Sequence, residues 1–529
     1  MTPDVSVVVP VYNTMPYLRE CLDSLVAQTI GLDRLEVVAV DDGSTDGSGE
    51  LLDEYAARHP GTVVVAHQAN SGGPASPCNA GLDLARGRYV FFLGADDHLG
   101  AEALERLVDA ADRWESDVVF GTMEGVNGRY VHQAMFDRTR ESVTFEQNPL
   151  AFAVSNTKLF RRSLVEEHDL RYREDMRVGS DQPFTVEAMV LARKISVLAD
   201  YTYYYAVRRH DASNISYATT WLERATDIHV VMDHIASVVP EGALLDAILV
   251  RHFSWELSKL LKADFLDLAP DDQRRLCSII SVTCQDFLTP GVERRLWATA
   301  RVRLRQAAAL DVDGLAATIV FQRDHHAPLV QDGRDLFVWA PGFGDTVPRA
   351  WCAVTAEGSW DRLLRELPMD EPVVVDGHLV LGGSVALIDP AGAGASIIWR
   401  NLSRHEVLPL VRRHPRGEAP SDVVGPVELV AGAPGEPSRW SARVPLDELL
   451  ASDQDEAMRW SPALRLDVGE HTYELAVRLP EVKGAAVATR GLATYRVVTR
   501  VDDRDVVYLR RRRLGLREGL GARRRTRAS

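Results

Sequence analysis

Four apolar runs, at residues 5–11, 35–40, 62–67 and 89–93, constrain this chain more than any other feature. They read VSVVVPV, LEVVAV, TVVVAH and YVFFL, with almost no polar alternation. A strand with one wet face alternates, whereas a continuous apolar run must be covered on both faces. Helix-like segments at 16–28, 47–59, 76–87 and 101–114 separate the runs. Strand and helix in regular succession predict an α/β domain with a mostly parallel, Rossmann-like sheet between helical layers. In such sheets ligands bind beyond the carboxyl ends of the strands.

Those ends carry the polar motifs. PVYN (10–13), DDGSTDGS (41–48), NSGGPASPCN (70–79) and GADDHL (94–99) follow the four runs and converge on one crevice. The chain contains neither GxGxxG after its first strand nor GxxxxGK[ST]. It is therefore neither a standard dinucleotide binder nor a P-loop NTPase. A crevice lined with carboxylates needs a divalent cation to accept a diphosphate, and hard cations prefer such oxygens. Asp42 is placed to accept a hydrogen bond from a base N–H such as that of uracil; a plain Asp-Gly turn is the competing reading. Asp96 and Asp97 leave their strand in different directions, so one can ligate a metal while the other holds the loop or a sugar hydroxyl. A turn or helix cap is the alternative for this pair.

VSVVVPVYN with CLDSLVAQT, VVAVDDGSTDGS and GLDLARGRYVFFLGADD resembles the family 2 glycosyltransferases of the GT-A fold, over residues 4–215. The resemblance implies a nucleotide site formed by Pro10, Tyr12, Asp42, Asn70, Asp96 and Arg208, and Mn2+ or Mg2+ on Asp96 with His210. Arg209 and Ser213 join Arg208 and His210 as candidates for the diphosphate. RVGSDQPFTVEAMVLA (177–192) resembles the segment that carries the general base of inverting members, which maps onto Asp181; a helix cap is the structural alternative. Three positions depart from the family: Gly94 stands for the first Asp of D-x-D, Cys78 for an Arg, and Ser180 for the acid preceding the base. NSGGPASP, SNTKLFRRSLVEEHDLRY and SDQPFT are most similar to wall-teichoic-acid sugar transferases. That implies a UDP-linked donor such as UDP-N-acetylglucosamine, an anionic polymer acceptor, and a homo-trimer formed by C-terminal domains. The departures motivate a competing reading as a non-catalytic scaffold. A transferase acting on another extracellular polysaccharide is a further alternative. EAMRW (456–460) echoes a motif of processive synthases but lies among strand-like segments.

Residues 216–328 are helical in pattern. Leu245, Ile248, Leu249, Phe253, Leu257, Leu260 and Leu261 fall at helical spacing and read as a core stripe. The histidine pair 325–326 reads as part of a linker, not a metal site. Short β-rich runs at 329–509, separated by Gly, Pro and Asp, predict one or two Ig-like β-sandwich domains without catalytic residues. Residues 510–529 hold nine Arg and one Glu, a charge of +8, which leaves −24 on the rest of a chain whose net charge is −16. An acidic body does not suit nucleic-acid binding. The basic tail suits an anionic polymer or the inner membrane face, unless it is a solvated terminus. Five scattered Cys without CxxC pairs give neither a disulfide framework nor a zinc site. With no leader-like N-terminus and no apolar run of about 18 residues, the expected location is cytoplasmic, with at most peripheral membrane contact.

Overall fold

The four runs form parallel strands β1 (Val5–Val11), β2 (Leu35–Asp41), β3 (Val63–His67) and β4 (Tyr89–Phe92) in a computed structural model of the chain. Residues 2–146, 148–176, 179–209 and 219–325 are described, together with parts of 329–515. β2 is buried along its whole length, as an unalternating run requires. Beyond β4 the sheet changes character. It continues through β7 (Leu159–Arg161), β6 (Val118–Val126), β8 (Ile195–Val207) and β5 (His98–Leu99), in the order β3-β2-β1-β4-β7-β6-β8-β5. β7 and β5 run antiparallel to their neighbours, so the sheet is parallel-rich and mixed.

Helices α1 (Leu18–Val26), α2 (Ser48–Arg58), α3 (Ala75–Leu84) and α4 (Ala103–Trp114) follow the strands that feed them. α1 buries Leu18, Cys21, Leu22 and Leu25, the i, i+3, i+4, i+7 face, in one core with alternate residues of β1 and β2. Each buried Leu contributes about 1.5–3 kcal/mol. α3 lies close on β1: a Cβ on Gly81 would stand 2.3 Å from Val8 Cγ1. Two further helices, α5 (Arg162–Glu167) and α6 (Asp181–Leu191), flank β7 and β8 in sequence.

α7 (Trp221–Val238) begins with a capping box. Thr220 Oγ1 accepts from the Glu223 N–H at 3.3 Å, and the Glu223 carboxylate accepts from the Thr220 N–H at 2.9 Å. α7 packs on α6 and on the helix Pro270–Phe287, and His234 reaches Glu187 of α6 at 3.0 Å. α8 (Ala243–Arg251) runs into a π-helical turn, His252–Leu257. All seven residues of the apolar stripe from Leu245 to Leu261 are buried, but on an interrupted helix, not one regular one.

Backbone contacts divide the chain into two compact units: residues 1–293 except 265–267, and that short segment with residues 294–529. The helical stretch is thus shared between them. The second unit holds helices Ala298–Ala308 and Val312–His325, a small three-stranded sheet and a larger, mainly antiparallel sheet. Trp399 and Trp440 are among its fully buried side chains. His325 ends a helix, and His326 lies outside the described residues. The strand Val507–Arg513 takes in the first part of the basic run, while residues 516–529 lie outside the described residues. Among the described residues no helix is long and apolar enough to cross a membrane.

Candidate active site

The loops after β1, β2 and β3 are tied together at the strand ends. Asn13, with φ of 46°, donates its N–H to Ser44 Oγ at 3.0 Å and accepts from the Thr45 N–H at 2.8 Å. Asp46 accepts from the N–H groups of Met15 and Ser48, so it fixes the entry to α2 together with the β1 loop. Asp41 accepts from the Ser44 N–H and meets His67 Nδ1, both at 3.0 Å. Burial opposes its charge, yet these partners hold its carboxyl below the usual range. Asp42 is buried and accepts from Gln68 Nε2 at 2.7 Å and from the N–H and hydroxyl of Ser71. Its hydrogen bonds therefore shape the loop that carries Asn70, an exposed residue accepting from the Gly72 N–H. Pro10 lies within β1, and Tyr12 just beyond it is 48% exposed.

At the end of β4 the two adjacent acids do separate. Asp96 Oδ2 pairs with Arg209 Nε at 2.8 Å, and Arg209 also reaches the carbonyl of Asn13. Asp97 turns inward, accepting from the Tyr204 hydroxyl and from the Val207 N–H at 2.7 Å. Burial first, and the charge of Asp96 second, push its carboxyl up to about 7. The Asp97 carboxylate also fills the space beside Gly94: a Cβ there would stand 2.8 Å from Asp97 Oδ2. Arg208 is exposed, with its backbone held by Val126 and Asn127. His210 and Ser213 lie outside the described residues. Strand ends, Asp96 and Arg209 thus form one connected cluster.

Asp181 belongs to a second cluster. It is the first residue of α6, so the cap position falls to Ser180 and not to Asp181, and Pro183 stands in the helix's first turn. Pro is tolerated in this first turn because its missing N–H has no intrahelical acceptor there. Asp181 is partly buried, and burial raises its carboxyl above the usual range. The N–H groups of Asp181 and Asn156, with the charges of Arg251 and Lys158, oppose that rise. Lys158 is buried, donates to the Ser155 carbonyl at 2.7 Å, and is lowered by burial to about 7. Cys78 of α3 and Tyr172 are both raised by burial, with the charge of Asp181 as a further cause. Because Cys78 is buried inside, it cannot substitute for an Arg reaching a diphosphate. α3 connects the clusters, carrying Cys78 on one turn and following the Asn70–Ser71 loop. A cavity of about 200 Å³ lined by Ser71, Gly72, Ser76, Glu174 and Asp175 opens there. A larger open depression, near Leu222 and Arg275, contains none of these residues. Lys158 and Arg251 were invisible as site residues in the sequence, although Lys158 is one of only five Lys in the chain.

A parallel-rich sheet with carboxylates at its strand ends, followed by helices, defines the GT-A class of nucleotide-sugar-binding domain. The profile of glycosyl transferase family 2 matches residues 6–169, and that of the glycosyl transferase TarS linker domain matches residues 225–319. The chain belongs to glycosyl transferase family 2. It is 34% identical over 308 residues to the poly(ribitol-phosphate) β-glucosyltransferase of Bacillus spizizenii, covering 55% of this chain and 48% of that protein. It is 34% identical over 320 residues to the poly(ribitol-phosphate) β-N-acetylglucosaminyltransferase TarS of Staphylococcus aureus, covering 58% of this chain and 54% of TarS. The crystal structure of TarS residues 1–349 with UDP-GlcNAc matches with a TM-score of 0.58 and 29% identity, over 65% of this chain and 98% of that one. The uncharacterized glycosyltransferase EpsJ of Bacillus subtilis is 32% identical over 45% of this chain and 70% of its own length. The chain spans about half the length of the first two of these relatives.

Proposed function

We propose that this chain transfers a sugar from a UDP-linked donor to a hydroxyl of a polyol-phosphate polymer, with inversion. The observation that carries the reading is the joining, in one chain, of a family 2 domain to a linker domain of the TarS type. The TarS fragment that aligns here holds UDP-GlcNAc, whereas the Bacillus spizizenii relative is a glucosyltransferase; both donors are UDP-hexose candidates. Asp181 is the base. A carboxyl raised by burial accepts a proton near neutral pH better than an ordinary one, and its place at the start of a helix fixes it. Arg208, with Arg209, supplies positive charge for the diphosphate.

For a divalent cation the site offers one hard carboxylate, Asp96, beside Arg209. Among the described residues no cluster of three ligating side chains surrounds it. This set fits an ion that takes its other ligands from diphosphate oxygens and water, with His210 as a further candidate. Bound there, Mn2+ or Mg2+ would offset negative charge on the departing diphosphate. The Arg-rich tail is proposed to meet the anionic acceptor.

The test is transfer from UDP-GlcNAc and UDP-glucose to poly(ribitol phosphate), with and without Mn2+, by wild type and Asp181→Asn. The variant should bind UDP normally yet lose at least about a thousandfold in kcat, within the range for a missing general base. Full activity in the variant would remove Asp181 from the chemistry. Donor turnover without any polymer acceptor among those tried would remove the acceptor class.

A further inference from the structure

The resemblance places an acid at position 180, immediately before the base. Here it is Ser180, which is 1% exposed, and its hydroxyl has no hydrogen-bond partner among the described residues. A carboxylate reaches the same turn from elsewhere. Glu256 lies in the π-helical turn that follows α8. Its Oε1 accepts from Gln182 Nε2 at 3.1 Å and pairs with Arg251 Nη1 at 2.9 Å. Its Oε2 stands 2.7 Å from Nδ1 of the fully buried His252. Arg251 Nη1 closes the ring by donating to Gln182 Oε1 at 3.0 Å. Gln182, the residue after Asp181, is thus gripped at both ends of its amide.

The π turn makes this ring feasible. In an α-helix, residues five apart point about 140° away from each other, given 3.6 residues per turn. The wider i→i+5 turn brings such residues onto one side, and Arg251 and Glu256 are five apart. Local widening of this kind recurs at functional sites.

We propose that Glu256 is a positioning residue for Asp181: it supplies from the helical block the carboxylate that Ser180 lacks, anchoring the first turn of α6 through Gln182 and keeping Arg251 paired. The proposal rests on Asp181 being the base. Lys158, Cys78, Tyr172 and Arg251 interact electrostatically with Asp181. Glu256 faces Arg251 and His252, with Lys259 acting on it through space. Neutralising Glu256 leaves the Arg251 charge without its counter-ion, so Arg251 acts more strongly on Asp181 and lowers its pKa.

The experiment measures kcat, acceptor KM, UDP affinity and the pH profile of kcat for Glu256→Gln, Gln182→Met and Glu256→Gln/Ser180→Glu. Glu256→Gln should lose at least about tenfold in kcat, as loss of positioning does. UDP affinity should hold, and the acid limb of the profile should move to lower pH. Gln182→Met breaks the same grip without unpairing an ion, so it should lower kcat with the limb in place. The double variant should recover both rate and limb. An unchanged kcat and limb in Glu256→Gln, or a loss of kcat that tracks only the folded fraction, overturns the proposal. Full activity of Asp181→Asn would instead overturn the base assignment, so the two failures are distinguishable.

Discussion

At the residue scale the site is built from buried charges whose environments differ. Asp96 and Asp97 are neighbours, yet one is paired with Arg209 and the other is bonded inward and raised. Lys158 gives the sharpest test of this electrostatic picture. Its amine is lowered by burial to about 7 from an ordinary 10.5. Between those values the unfolded chain holds a proton that the folded chain has released, so folded stability rises with pH across that window. Below about 7 both states are protonated and the full cost of the buried ammonium is present. Lys158→Met removes this dependence. The melting temperature of wild type relative to the variant should therefore climb from pH 6.5 to pH 10. A constant difference over that range would mean that Lys158 stays charged in the fold.

At the scale of elements, the close seating of α3 on β1 is what sets the Asn70–Ser71 loop and Cys78 in place. A Cβ on Gly81 meets Val8 at 2.3 Å, and Val8 is itself buried. Gly81→Ala should destabilise the chain by about 1–3 kcal/mol, the usual cost of overpacking. Val8→Ala in the same chain should return part of that loss in a denaturant melt. Additive losses would show that α3 shifts freely. β1 to β4 and α1 to α4 were legible in the sequence because continuous Val-rich runs and helical spacing carry that information locally. β5 and β7 were not: two and three residues are too short for any periodicity. Their antiparallel direction and the sheet order depend on contacts distant in sequence. Of the proposed site residues, Asp96 and Asp181 could be named from the sequence because each sits at a strand end or helix start within a motif. Glu256 was not, standing 74 residues from Gln182. The available signal was a His and a Glu, four apart, inside an otherwise buried apolar stripe.

For the whole molecule, the long-range quantity is charge. Removing 516–529 takes away five Arg and one Glu, a net +4, from a chain that is otherwise strongly acidic. An acidic body repels a polyanionic acceptor, so the basic segment is where attraction can concentrate. If poly(ribitol phosphate) is the acceptor, as proposed, the truncated chain should show a several-fold higher KM for it at low salt and an unchanged kcat, because the proposed base and donor residues are untouched. The difference should vanish by about 0.5 M salt, where the screening length falls to about 4 Å. UDP affinity provides the internal control, since the proposed donor is small and its proposed site lies at the strand ends, outside the removed residues. A KM difference that persists at high salt would point to a contact other than charge. Equal KM values at low salt would mean that the polymer is held by the folded units alone, leaving the tail free for an anionic surface, to be sought by sedimentation with vesicles of acidic phospholipid.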